Sequence, residues 1–396
     1  MSTELATSEA SPRYTLTALV KYVLGLGTWG FGGPVALVGY MHRDLVETRR
    51  WITDGEYKEG LTLAQIMPGP LAAQLAIYLG YVHYGVWGAT LVGSAFVLPS
   101  FLMVLALGWA YATYGGISWM QAVFYGVGPA VIGIIFLSAY KLTQKTIASD
   151  KLLWFIYLAS FLVTVVTESE AISLFLAAGF LTWFVRTRRR PVQSVAPCLL
   201  PLGFSFPEFT QSNQVLFQIA AFFTEAGAFV FGSGLAIVPF LYGGVVKEYA
   251  WLNDQQFLDA VAVAMITPGP VVITVGFIGY LVAGVPGAVV AAAATFLPCY
   301  LFTILPAPYF KRHGKRPGIV AFVEGVTAAA IGAISGAVVV LGRRTVFDPS
   351  TGFDWFKASL VLATVLLFWN YKKFPEPLAV LAAAIIGLIA FPLVHP

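Results

Sequence analysis

Pro-Gly-Pro occurs at 68–70 and again at 268–270, each time inside an apolar stretch that would otherwise read as one continuous helix. Proline lacks the N–H and fixes φ, and glycine opens the backbone to positive φ, so the tripeptide interrupts a helix wherever it stands. The spacing is kept around it: Phe31-Gly32, Trp51, Asp54, Ala64 and Ile66 reappear as Phe231-Gly232, Trp251, Asp254, Ala264 and Ile266. Between 27–70 and 227–270, 13 of 44 positions are identical. Beyond residue 80 the correspondence continues at an offset of 199, pairing Gly80-Tyr81 with Gly279-Tyr280 and Pro99 with Pro298. The chain is a tandem duplication with a broken helix in each copy.

Its solvent is the lipid bilayer. Of 396 residues 58% are hydrophobic and 11% charged, and the mean hydropathy is +0.80, far from the range of soluble globular chains. The first dozen residues are polar, without the basic region and small-residue cleavage site of a signal peptide, so the first apolar run is expected to remain. Cys198 and Cys299 suggest neither a disulfide framework nor a metal site, and no cofactor is expected. The net charge of +4, spread over membrane edges, argues against a nucleic-acid partner. The expected organisation is a polar tail at 1–13, a first membrane repeat at 14–190, a Pro-rich cytoplasmic linker at 191–213 and a second repeat at 214–396. Repeats of this size are the usual build of secondary transporters, with the substrate site between the halves.

Spanning-length apolar runs lie at 14–34, 85–111, 117–140, 152–168 and 170–186, and again at 214–242, 284–306, 319–342, 356–371 and 376–394. The segments carrying Pro-Gly-Pro, 58–83 and 257–282, either cross or enter and return. The bias of Lys and Arg toward the cytoplasm decides. With crossing segments, the clusters at 186–190 and 311–316 fall on opposite sides. With re-entrant hairpins, five spans per half invert the second half, and 17 Lys/Arg lie inside against five outside, with Lys21 within a span. The expectation is an all-α integral membrane protein of ten spans and two re-entrant hairpins, in inverted repeats, with both termini outside.

A broken helix at membrane depth leaves backbone groups that no water satisfies, so it survives only inside protein or beside a wet cavity. After each Pro-Gly-Pro a new helix begins, with Pro70 and Pro270 suited to a first position that needs no N–H. Its free N–H groups and dipole make an anion site without a titratable side chain. Two hairpins entering from opposite faces would bring two such termini to one dianion. Gly32, Gly33 and Pro34, and in the second half Gly232, Ser233 and Gly234, mark further breaks, where site lining competes with tight helix packing.

Among side chains, Lys21 lies within the first span and either attracts an anion or snorkels to the interface. Glu225 lies within the corresponding span and either carries a proton or pairs with Lys21. Glu59 and Asp259 align across the halves, as do Asp54 and Asp254, where acidic residues cap a helix or act as a proton relay. Arg43 is the basic residue nearest the first break, suited to a tetrahedral oxyanion or simply to the interface. Gln65 and Gln74 flank the tip formed by Pro68, Gly69 and Pro70. Thr267 and Thr274 flank the tip formed by Pro268, Gly269 and Pro270. These four offer neutral donors.

Phe-Gly-Gly-Pro at 31–34, the stretch from Arg43 to Trp51, Leu63-Ala64-Gln65 before Pro-Gly-Pro, Gln74-Leu75-Ala76, and the second Trp-x-x-Asp before Pro-Gly-Pro resemble the two-domain chromate ion transporters, over nearly the whole chain. The resemblance implies export of chromate, a sulfate-like oxyanion, from the bacterial cytoplasm across the inner membrane, driven by proton motive force, with sulfate as a competitor. It implies a transporter rather than an enzyme. Ser233 stands where a second glycine is usual, and Met265 where glutamine is. The alternatives are a membrane-embedded polyprenyl-pyrophosphate phosphatase, which would want a hydroxyl nucleophile and arginines after the turn where Leu71-Ala72-Ala73 and Val271-Val272-Ile273 stand, and an anion channel. Cargo preference, coupling ion and oligomeric state, a homodimer included, stay open.

Overall fold

The computed structural model describes residues 14–31, 33–114, 118–168, 172–187, 211–229, 237–309, 317–348, 352–371 and 374–394. Among these the chain is helical, apart from one short strand pair, Phe347–Asp348 against Gly352–Phe353.

Helix α1 (Leu16–Trp29) begins where the Thr15 side chain accepts from the Ala18 N–H. Helix α2 (Gly33–Met41), prolonged by a π-helical segment at His42–Thr48, runs back beside it. The Tyr22 hydroxyl reaches the Tyr40 carbonyl and Asp44, and Tyr14 stacks on Trp51 with ring centroids 4.9 Å apart. These contacts make the pair antiparallel. Helix α3 (Asp54–Ile66) opens on a capping box between Thr53 and Glu56. After Pro68-Gly69-Pro70 the chain returns as the first arm of α4 (Leu71–Tyr114). Glu56 meets His83 at 3.1 Å and Gly60 lies against the Tyr78 ring, so these arms are antiparallel as well.

At Gly85 the chain turns once more. Its φ of 59° and ψ of −150° fall in a region nearly confined to glycine. Gly80 and Gly88 then face each other across the turn, where a Cβ on either would meet the other's carbonyl. The second arm of α4, 86–114, is about 43 Å long at 1.5 Å per residue. Tyr14, Trp51, His83 and Gly85 therefore share one end of the molecule, end A, and Tyr114 lies at the other, end B. Helix α5 (Ser118–Thr146) returns to end A, α6 (Lys151–Thr167) goes to end B, and α7 (Ile172–Thr187) comes back to end A, where Arg186 pairs with Asp150 at 2.5 Å.

The second half repeats this order of elements. Its elements are α8 (Gln211–Phe229), α9 (Ile237–Tyr242) with a π-helical segment at Gly243–Glu248, α10 (Asp254–Ile266) capped by Asn253 and Gln256, a 3-10 turn at Val271–Ile273, and α11 (Thr274–Ile304). Gly284 turns the chain with φ 62° and ψ −151°, nearly the torsions of Gly85. Helices α12 (Pro317–Val346), α13 (Trp355–Asn370) and α14 (Glu376–Val394) follow. Asp254, at the start of α10, bonds Arg344, which also holds Glu168 at the C-terminus of α6, so these hairpins start from end B. The second arms of α4 and α11 cross antiparallel, with Thr90 bonded to Tyr300 at 2.7 Å and Ser94, Val97, Ala293 and Phe296 lining one groove between them.

The outer helices exchange partners. Helices α6 and α7 of the first half pack on α12 of the second: Gly332 lies against the Tyr157 carbonyl, Gly325 against that of Ala178, and Ser160 donates to the Ala329 carbonyl at 2.7 Å. Helices α13 and α14 of the second half pack on α5 of the first through Thr364 on Gly133 and Gly387 on Gly126. Small residues let these backbones approach without intervening side chains.

Two sequence expectations change. The runs 14–34 and 214–242 do not pass from end to end, because each folds back on itself: Tyr14 meets Trp51, and Phe222 stacks on Phe240 and lies edge-on to Trp251. Helix α1 has 14 residues, about 21 Å, against a hydrocarbon thickness of about 30 Å. Tyr14 consequently lies at the end that holds Arg49, whose guanidinium sits over the Trp51 ring, whereas the sequence placed the chain start opposite the arginines. The linker at 191–213 lies outside the described residues except for the first turn of α8. The flanking ends of α7 and α8 lie at opposite ends of the bundle. Among the described residues, five helices are long and apolar enough to cross a membrane: α4, α5, α11, α12 and α14.

Candidate anion site at the crossed hairpin tips

Each Pro-Gly-Pro tip is seated on the other half. Gly69 has φ 141° and Gly269 φ 94°, both open to glycine and strained for other residues. A Cβ on Gly69 would lie 3.1 Å from the Cys299 Sγ, and one on Gly269 would lie 2.8 Å from the Ser100 Oγ. Ser100 and Cys299 correspond by the offset of 199 and follow Pro99 and Pro298, which interrupt the backbone ladders of α4 and α11. Gly27 of α1 approaches the freed carbonyl region at Ala95 and Phe96, and Gly227 of α8 that of Thr295. The Gly269 N–H donates to the Gly30 carbonyl at 3.1 Å, tying the second tip to the turn after α1.

At the first tip the Gln74 N–H makes the opening bond of α4, to the Pro70 carbonyl at 3.0 Å, so the N–H groups of Leu71, Ala72 and Ala73 precede the helical ladder and point at the tip. The Gln74 side chain is fully buried; its amide donates to the Pro68 carbonyl at 2.8 Å, and its Oε1 has no protein partner. A helix N-terminus with oriented amides is chemically suited to an oxyanion, whereas the open Gln74 Oε1 is an acceptor and suits a donor such as water or a protonated ligand oxygen. At the second tip Thr267 donates to the Val263 carbonyl, and Thr274 to that of Val271 at 2.8 Å.

The sequence candidates divide accordingly. Pro68, Gly69, Pro70, Gln74, Pro268, Gly269 and Pro270 form the tips. Thr267 and Thr274 are buried there, and their hydroxyls donate to nearby backbone carbonyls. Gln65 is exposed near the end of α3. Gly33 and Pro34 open α2; Gly32, Gly232, Ser233 and Gly234 lie outside the described residues. Arg43 sits in the π-helical segment toward end A, exposed and bonded to Asp44 at 2.9 Å, because that segment carries it away from the tip. Lys21 and Glu225 do not pair: both face outward, on hairpins that enter from opposite ends, and Glu225 lies near Glu248. The caps of α3 and α10 are Thr53 with Glu56 and Asn253 with Gln256, so Glu59 and Asp259 are free of that task. Ser100, Cys299 and Gly30 were missed as site residues; the alignment of Pro99 with Pro298 was the signal that led to the first two.

Comparison with known proteins agrees with this duplicated build. The sequence profile of the chromate transporter matches twice, over residues 17–183 and 217–388. The chain belongs to the chromate transporter family. It is 66% identical to a chromate transport protein of Cupriavidus metallidurans over 100% of this chain and 98% of that one. It is 62% identical to a probable chromate transport protein of Synechococcus elongatus over 96% of each chain. A chromate transport protein of Pseudomonas aeruginosa is 28% identical over 99% of this chain and 96% of that one. No solved structure matches. Members of the chromate transporter family so named are transport proteins and not enzymes.

Proposed function

We propose that this protein is a secondary transporter that exports chromate from the cytoplasm, and that the crossed hairpin tips are its binding site. The observation that carries this reading is the seating of Gly69 on Cys299 and of Gly269 on Ser100, which gathers the broken helices of both halves at mid-depth between ends A and B. Sulfate has the same shape and charge and competes. Proton motive force drives export, and the inner membrane is the site of action.

End A is the cytoplasmic face in this reading. Arg43, Arg49, Arg50, Lys58, Lys141, Lys145, Lys151 and Arg186 lie toward end A, against Lys247, Arg343, Arg344 and Lys357 toward end B. The α1–α2 and α3–α4 hairpins enter from the cytoplasm and return, and the α8–α9 and α10–α11 hairpins do so from outside, as inverted repeats. Each half then crosses with four helices, the first half starting and ending at end A and the second starting and ending at end B, so Tyr14 lies inside and the end of α14 outside. A basic cytoplasmic face concentrates anions at the entrance.

The experiment is chromate uptake into everted vesicles or proteoliposomes, with chromate, sulfate and an imposed pH gradient varied separately. Accumulation that is inhibited by sulfate and collapses with the gradient is expected. Absence of any chromate flux would remove the reading, and flux blind to the gradient would make the protein a channel.

A further inference from the structure

Toward end B a pocket of about 360 Å³ opens between the halves, with Tyr111 of α4, Gln121 and Tyr125 of α5, and Asn253, Gln255 and Asp259 of α10 in its wall. Asp259 is 3% exposed. Both of its oxygens accept from neutral groups: the Tyr111 hydroxyl at 2.7 Å and the Gln255 amide at 2.8 Å. Among the residues lining the pocket it is the one that carries a charge.

Helix α4 presents Tyr111, and α14 presents Phe391. Helix α5 presents Gln121 and Tyr125; Tyr125 donates to Asp354 at 2.9 Å, and Lys357 lies against its ring while 3.7 Å from Asp354. On the neighbouring π-helical segment Lys247 pairs with Glu168 at 2.6 Å, and Glu248 lies toward Glu225. No lysine or arginine pairs with Asp259 among the described residues. A carboxyl at this depth without a cation changes its charge by exchanging a proton, and ionisable groups so placed mark ion pathways.

The pocket also connects the second tip with its seat. Asp259 stands on the arm that leads to the Gly269 tip, and Tyr111 stands on the same arm of α4 as Ser100, the residue on which that tip rests. Glu59, the corresponding residue of the first half, bonds Tyr78 within its own hairpin. The carboxyl of the second half bridges the halves through Tyr111.

We infer that Asp259 is the proton-exchange residue of the transport cycle, loaded from end B through this pocket. Ionised, it accepts from Tyr111 and holds the second hairpin to α4; protonated, it gives up one acceptor lone pair, loosening the seat of the tip as the anion leaves. The proton taken up at end B is released toward end A when the hairpin reseats. The inference rests on the transport reading above.

The test uses the full chain in proteoliposomes and separates chromate counterflow, which needs no gradient, from accumulation driven by a pH gradient. Asp259→Asn is expected to keep counterflow and to lose gradient-driven accumulation about tenfold, the usual scale of coupling between two sites. Tyr111→Phe is expected to shift the pH midpoint of driven transport without abolishing counterflow. Infrared difference spectra of the wild type between acid and neutral pH should contain a carboxylic-acid band that is missing in Asp259→Asn, a readout that survives even if the variant does not transport. Unchanged driven accumulation in Asp259→Asn, or an unchanged acid band, would overturn the inference. Wild-type counterflow blind to chromate would instead overturn the transport reading.

Discussion

Gly69 of the first half touches Cys299 of the second: a Cβ on the glycine would lie 3.1 Å from the Sγ. The contact leaves no room for a branched side chain, and the φ of 141° strains any residue but glycine. Gly69→Val and Gly269→Val are therefore expected to abolish chromate uptake by everted vesicles while the protein still inserts, as measured by immunoblot of the membranes. Cys299→Ser, which installs the group already present at Ser100, should retain uptake, and Cys299→Leu should lose it. Full uptake in both glycine variants would remove the tips from the site.

Gln74 offers a second test, because its two ends do different work. Gln74→Leu strips the donor from the Pro68 carbonyl, and a buried polar group left unpaired costs about 1–3 kcal/mol. Lower thermal stability of the purified protein is expected together with lost transport. Gln74→Glu introduces a negative charge beside the helix N-terminus where the anion is to bind, so transport should fall further than stability does. Equal loss of both properties in the two variants would make Gln74 purely structural.

The Glu168 carboxyl titrates below its ordinary value of 4.5, chiefly because Lys247 hydrogen-bonds it, with Arg344 adding to the effect. A depressed value in the folded state means that the ionised form is favoured there. The stabilisation is present at pH above the ordinary carboxylate range and is lost as the pH falls through the lowered value. Glu168→Gln should melt below the wild type at neutral pH, and the two melting curves should converge under acid.

Topology is open to labelling. In a background with Cys198 and Cys299 replaced by serine, a cysteine at Tyr114 or Phe347 should react with an impermeant maleimide on intact cells, and one at Glu47 or Lys145 only after permeabilisation. The opposite pattern would exchange the assignments of ends A and B.

Much of this was legible in the sequence. The duplication, the two Pro-Gly-Pro turns, and the boundary near residue 84 between a returning arm and a long helix all follow from glycine, proline and the repeat spacing. What escaped was the return of α1, because an apolar run of 21 residues satisfies a hydropathy window whether or not a glycine turn halves it; Gly30 to Gly33 decides, and only the stacking of Tyr14 on Trp51 makes the reversal evident. The seats at Ser100 and Cys299 were hidden for another reason. A serine and a cysteine share no chemical signature, and although the alignment of Pro99 with Pro298 makes them equivalent positions, their role as seats for the opposite tip appears only when the halves are crossed. Lys21 and Glu225 were singled out as charges inside spans; the structure places both facing outward, on hairpins that enter from opposite ends.

The exchange of outer helices makes this chain an intertwined dimer written as one polypeptide. Helices α6 and α7 cover α12, and α13 and α14 cover α5, so either half made alone would present bare glycine-lined faces with no mate. Two separate chains, cut between Thr187 and Gln211, should need each other from the moment of insertion, and their joint expression should rebuild the whole. Within the proposed transport reading, motion is expected in the hairpins rather than between the halves, because the exchanged outer helices brace the halves together.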